Sequence, residues 1–162
     1  MRKLLIVVMA GLVLGACSGA SNVVTVDGVA FDVDDMPLET EASTLDMDLF
    51  REAINWVVAD RILVQAAEDD FGLVLSNQDV DDAASTLLGS TNPADPTSNL
   101  AYQRIQARIG PSGLLGPAIL AALPDGVQLF DWAGEKFNAA DVRVNPRYGE
   151  WRLAPNPGVY ER

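Results

Sequence analysis

Residues 45–72, LDMDLFREAINWVVADRILVQAAEDDFG, constrain the fold more than any other stretch of this chain. Leu49, Phe50, Ala53, Val57, Val64, Ala67 and Phe71 recur at helical spacing, so one face of a long helix is apolar. Arg51, Asn55, Gln65 and Asp69 lie away from that face, and Gly72 supplies a helix stop. Asp60 sits near the apolar face and breaks the pattern. It is either a helix-edge residue or the partner of an arginine from elsewhere. A helix this long needs other elements to cover it, and the rest of the chain must provide them.

On its N-terminal side, VVTVDGVAF places two β-rich runs around Asp27-Gly28. That pair is a strong hairpin signal, because a type I′ turn needs positive φ at both positions. Asp32 and Asp35 can cap a short helical turn, and residues 37–44, PLETEAST, read as a loop. On the C-terminal side, Ser76 with Asp79 three residues on opens a second helix with a stripe of Val80, Ala83, Ala84, Leu87 and Leu88. Residues 89–99, with two prolines, form a loop. A third helix follows over residues 100–109. Residues 114–123 are apolar and helical, interrupted or begun at Gly116-Pro117. A last helix carries Phe130, Ala133, Phe137 and Ala140. Val142 to Val144 then form a strand stopped by Asn145-Pro146. A lone hairpin is marginal in water, so this strand is its expected third member, and the two ends of the chain should meet. The fold class is mostly α (α+β): a bundle of about four to five helices beside a small sheet.

The chain begins with two cations, Arg2 and Lys3, then an uncharged run up to the only cysteine, Cys17. The run is too short to span a bilayer, which needs about 20 apolar residues, and has the layout of a signal peptide. Its ending, Leu14-Gly15-Ala16-Cys17, resembles a bacterial lipobox. Residues 1–16 are therefore expected to be a lipoprotein leader, cut between Ala16 and Cys17. Cys17 would carry the lipid, and residues 17–22 would be a short tether. The competing reading is an ordinary secretion signal with an incidental cysteine. Cleavage leaves 146 of the 162 residues, one domain's worth. The net charge of −12 becomes −14 once Arg2 and Lys3 are gone, which disfavours nucleic acid and anionic membrane surfaces as partners. Membrane attachment would rest on the lipid, on the extracytoplasmic face.

Much catalytic chemistry has no residues to run it. The chain has no histidine, hence no Ser-His or Cys-His nucleophile and no histidine metal ligand. There is no phosphate-binding glycine loop and no G-x-S-x-G. Asp32, Asp34 and Asp35 suggest calcium, but an EF-hand loop begun at Asp32 would put Pro37 at its sixth place and Ser43 at its twelfth, where glycine and glutamate are required. No cofactor or metal is expected. Acidic doublets such as Asp69-Asp70 point about 100° apart on a helix and do not converge on one atom. Among the aromatics, Trp56 and Trp132 lie within helices and read as core or core-edge. Tyr148 and Trp151 follow a turn and are better placed to be exposed.

The hairpin together with INWVVADRILVQAAEDDFGLVLSNQDVDDA resembles the N-terminal domain of SurA-type chaperones, a family often joined to parvulin prolyl isomerase domains. Val57, Ile62, Leu63, Ala67, Gly72, Ser76, Val80 and Asp81 fit its pattern, and VRVNPRYGEW resembles the tail of small lipoproteins carrying that domain. The resemblance covers about residues 23–151, leaving 152–162 as a C-terminal tail. The proline-rich segment 89–99 and the short third helix depart from the family. A parvulin domain would need further chain and histidines, so isomerase activity is not carried over.

The resemblance implies a helical module that binds unfolded or extended polypeptide in the cell envelope; with the lipobox-like ending and the missing catalytic residues, the expectation is a lipid-anchored module without catalysis. The expected binding residues are Leu114, Leu115, Ile119, Leu120, Tyr148 and Trp151. The uncharged stretch 109–124 is either that surface or a helix buried in the core. Two other classes stay open: a scaffold lipoprotein holding one folded partner, and an enzyme, either a degenerate isomerase or a carboxylate hydrolase.

Overall fold

The Asp27-Gly28 turn has positive φ at both residues, 49° and 82°, as a type I′ hairpin demands. It joins β1 (Val24–Val26) to β2 (Val29–Phe31). The structure, a computed structural model, describes residues 22–38 and 46–162. The expected leader 1–16, the Ala16–Cys17 cleavage point, most of the tether and the loop beyond residue 38 lie outside the described residues. After the hairpin, Val33–Asp35 make one 3-10 turn, capped by Asp32 and Asp35 as a reciprocal pair.

Helix α1 (Met47–Phe71) follows, 25 residues and about 37 Å long. Asp46 caps its start, accepting from the Asp48 and Leu49 amides, and Gly72 ends it in the left-handed region. Next come α2 (Asn77–Leu88), α3 (Leu100–Ile109), α4 (Leu115–Ala122) and α5 (Leu129–Ala139). Ser76 caps α2 through the Asp79 amide, as its sequence predicts. β3 (Val142–Val144) then pairs antiparallel with β1, Val24 opposite Val144, giving the sheet order β2-β1-β3. The two ends of the chain do meet. Asn145 reinforces the junction, its Nδ2 donating to the Asn22 carbonyl at 2.9 Å. The fold is mostly α with a small sheet built from both ends.

Helix α1 is the axis of the molecule, and it is buried on more than one face. Its first half packs Phe50, Ile54, Val57 and Val58 against Val24 and Val26 of the sheet and Val23 just before it. Farther along, Ile105 of α3 and then Leu115 and Ile119 of α4 cover it. Ile54, Val58 and Ile62 are buried although the single-stripe reading left them out, because different neighbours pack on different sides along its length. Asp60 pairs with an arginine from elsewhere: Arg108 of α3 donates through Nε and Nη2 to its two oxygens, at 2.6 Å each. The loop between α2 and α3 is pinned by two buried amides. Asn99 donates to the Pro37 and Pro96 carbonyls and Gln103 to that of Thr97, each at 3.1 Å.

The expected C-terminal tail, 152–162, is a correction. β4 (Glu150–Arg152) and β5 (Gly158–Tyr160) form a second hairpin, and Val159 is buried in the main core. Two polar side chains of α1 fasten it. Asn55 Oδ1 accepts from the Val159 amide at 2.6 Å, and Arg51 Nε donates to the Tyr148 carbonyl at 2.9 Å. Arg51 and Asn55 do lie off the apolar stripe, and their work there is to hold the end of the chain. Gly149 lets the two strands approach: a Cβ built on it would stand 2.4 Å from the Tyr160 carbonyl oxygen, at φ 145°.

Candidate functional site

The uncharged stretch after α3 folds back on itself. Gly110-Pro111 breaks α3, the Gly113 amide donates to the Gly110 carbonyl, and the Leu114 amide donates to the Ala107 carbonyl, both at 2.8 Å. This turn delivers α4 onto the second half of α1. Leu115 and Ile119 then share a small core with Ala67 and Trp132. Helix α5 packs beside it, but its buried stripe differs from the one its sequence suggests. Leu129, Trp132, Ala133 and Phe137 face inward, and Phe130, expected within the apolar face, is 87% exposed. On a helix Phe130 stands about 100° round from Leu129, just outside the covered arc.

Between these helices lies an apolar cleft of about 250 Å³. Leu63 of α1, Ile109 at the end of α3, and Leu115 and Ile119 of α4 form one wall. Leu129, Phe130, Trp132 and Phe137 of α5 form the other, and no lining residue is charged. Leu120, 61% exposed, adds a second bare side chain on α4.

Its α5 wall is set by a polar clamp at the end of α1. Trp132 Nε1 donates to Asp70 Oδ2 at 2.8 Å, and Lys136 Nζ reaches the same oxygen at 2.5 Å. Lys136 also lies over the Trp132 ring, 5.8 Å from its centroid. The Lys136 hydrogen bond first, then that of Trp132, holds the Asp70 carboxyl below its ordinary value. One carboxylate thus orders both the tryptophan and the lysine and fixes the angle of α5 against α1.

The six expected binding residues divide. Leu120 is open to solvent. Leu115 and Ile119, each 2% exposed, are walls of the cleft and not a free surface. Leu114 is half-buried against Val80, Ala84 and Ala107, away from the cleft. Tyr148 and Trp151 correct the expectation of exposure: both pack on the main core, Tyr148 against Phe50 at 4.9 Å between ring centroids and Trp151 against Phe137 at 6.3 Å. Trp132 is core and Trp56 core-edge, as read from their helical positions. Stretch 109–123 is accordingly neither all core nor all surface. Phe130 is the site residue that sequence reasoning missed. The available signal was the break in the stripe once Trp132, and not Phe130, is placed inward.

Among the described residues, no three His, Cys, Asp or Glu side chains gather as a metal site, and no helix is long and apolar enough to cross a membrane. No family model matches the chain, and no match is found among curated proteins or solved structures.

Proposed function

We infer that this protein is a lipid-anchored, extracytoplasmic module of the SurA N-terminal type that binds unfolded or extended polypeptide without catalysis. The observation that carries the reading is the uncharged cleft between α1, α4 and α5, with Phe130 and Leu120 bare at its side. Such a surface recognises apolar side chains of any order, which suits a client whose sequence varies. An aromatic ring left 87% exposed forgoes about 2 kcal/mol of burial, and a binding role gives that exposure a purpose. The lipobox-like Leu14 to Cys17 supports membrane attachment through Cys17.

The test is light scattering of a denatured basic client mixed with the protein, wild type against Phe130→Asp. Wild type should suppress scattering at severalfold excess without nucleotide or metal, and Phe130→Asp should lose most of that effect while melting normally. No suppression by wild type refutes the reading and leaves a scaffold for one folded partner as its replacement. Membrane attachment is tested apart, with Cys17→Ser: the variant should stay unprocessed and take up no acyl label. Free release of unlipidated wild type would refute the anchor.

A further inference from the structure

A second cleft, of about 320 Å³, lies between α1 and α3. Phe31, Val57, Ala101 and Ile105 give it an apolar floor. Three arginines reach it: Arg61 from α1, and Arg104 and Arg108 from α3. The whole chain has 11 cationic side chains against 23 acidic ones, so three in one cleft is a local concentration.

Two of these guanidiniums are held in place without being used up. Arg108 engages Asp60 through Nε and Nη2, which leaves Nη1. Arg104 donates to Asp81 through Nε at 2.7 Å, which leaves both terminal nitrogens. Arg61 makes no ion pair among the described residues. Two of the three planes are therefore ordered before any ligand arrives, which lowers the entropy lost on binding. Charge limits the ligand. The lining holds three guanidiniums and two carboxylates, Asp35 and Asp60, and Asp81 pairs with Arg104 beside it, so the cleft is close to neutral overall and offers free N–H donors more than net charge. On a chain at −12 a ligand of low charge meets the least repulsion, so a monoanion suits the cleft better than a dianion.

We propose that this cleft binds a monoanionic carboxylate carried on an apolar stem. The carboxylate takes N–H donors of Arg61 and Arg104, a geometry guanidinium groups favour, and the stem lies on the floor between Phe31 and Ile105. The cleft's size is at the small end of ligand pockets, which run from about 300 to 1,000 Å³. It fits a terminal residue or a small acid and not a long segment. Two sources share this chemistry, the free C-terminus of a peptide and a free small carboxylate. Only the peptide source rests on the polypeptide-binding reading given above.

The experiment uses the full chain in mild detergent and a fluorescent Ala-Ala-Ala-Ala-Leu peptide, as free acid and as C-terminal amide, followed by anisotropy. N-acetyl-leucine is the competitor. The amide should bind about tenfold or more weakly than the acid. Arg61→Met should weaken the acid about fivefold and leave the amide unchanged, while Arg147→Met, outside the cleft, should change neither. Displacement of the peptide by N-acetyl-leucine supports the site and assigns it to small carboxylates as well. Peptide binding that N-acetyl-leucine does not displace supports it and assigns it to chain ends. Equal affinity for acid and amide, or an Arg61→Met protein that still prefers the acid tenfold, overturns the proposal. The same result beside a Phe130-dependent suppression of scattering would leave the polypeptide-binding reading standing.

Discussion

Replacing Asn55 by alanine should loosen the end of the chain. Asn55 Oδ1 accepts the Val159 amide at 2.6 Å, and Val159 is 6% exposed in the main core. In the β4-β5 pair Val159 stands opposite Trp151, and its N–H points away from that strand toward α1. Without Asn55 the N–H has no protein partner. A buried donor left unsatisfied costs about 1–3 kcal/mol. Truncation to alanine also opens a path for water from the half-exposed side of α1, so the expected loss is in the lower part of that range, about 1–2 kcal/mol. For a domain of this size that lowers the melting temperature by about 3–6 °C. Thermal unfolding by circular dichroism reads the loss, and hydrogen exchange at the Val159 amide locates it. Asn55→Asp keeps the acceptor and should stay near wild type at neutral pH. If Asn55→Ala melts within about 1 °C of wild type and the Val159 amide exchanges no faster, the hairpin is not fastened to α1 and the reasoning fails.

Two further outcomes test other parts of the fold. Gly149→Ala puts a Cβ 2.4 Å from the Tyr160 carbonyl oxygen at φ 145°, so the β4-β5 hairpin should open and the urea midpoint fall by the equivalent of about 2–3 kcal/mol; an unchanged midpoint would contradict the close approach. Asp70→Asn should narrow its stability gap to wild type in acid. The folded carboxyl of Asp70 lies below its ordinary value of 3.8, through Lys136 first and Trp132 second. Its contribution is therefore present above that value and lost as pH falls through the folded one. The gap should begin to shrink as pH falls below the ordinary value of 3.8, and a gap that stays constant as the protein is acidified through and below that value would refute the clamp.

How much of this was legible depended on whether a signal was local. Asp27-Gly28, the Ser76 cap and the Gly72 stop are local chemistry, and each lies where the sequence places it. The pairing of Val142–Val144 with β1 is long-range, yet legible, because a two-stranded sheet needed a third member. The C-terminal hairpin was not legible. Its strands are three residues each, too short to show alternation, and Pro155, Pro157 and Gly158 are residues that ordinarily break strands. What makes them strands is Arg51 and Asn55 on a helix about a hundred positions earlier. The cleft was half legible for a similar reason. The apolar composition of α4 marked Leu115, Ile119 and Leu120 as important. Only the way α4 and α5 lie on α1 decides that two of them are wall and that Phe130 is bare. A period of 3.6 identifies a helix face, but where the covered arc ends depends on the neighbour.

The central position of β1 has a mechanical consequence. With the chain held at Cys17, as proposed, tension on the molecule would enter through the N-terminal segment and reach β1 before any helix. β1 is flanked by β2 on one side and β3 on the other. A pull along the strand would shear both ladders together and could not peel one open first. The amide link from Asn145 to the Asn22 carbonyl bridges the point where that load arrives. The strand nearest the anchor is thus the one best braced against being drawn out of the fold.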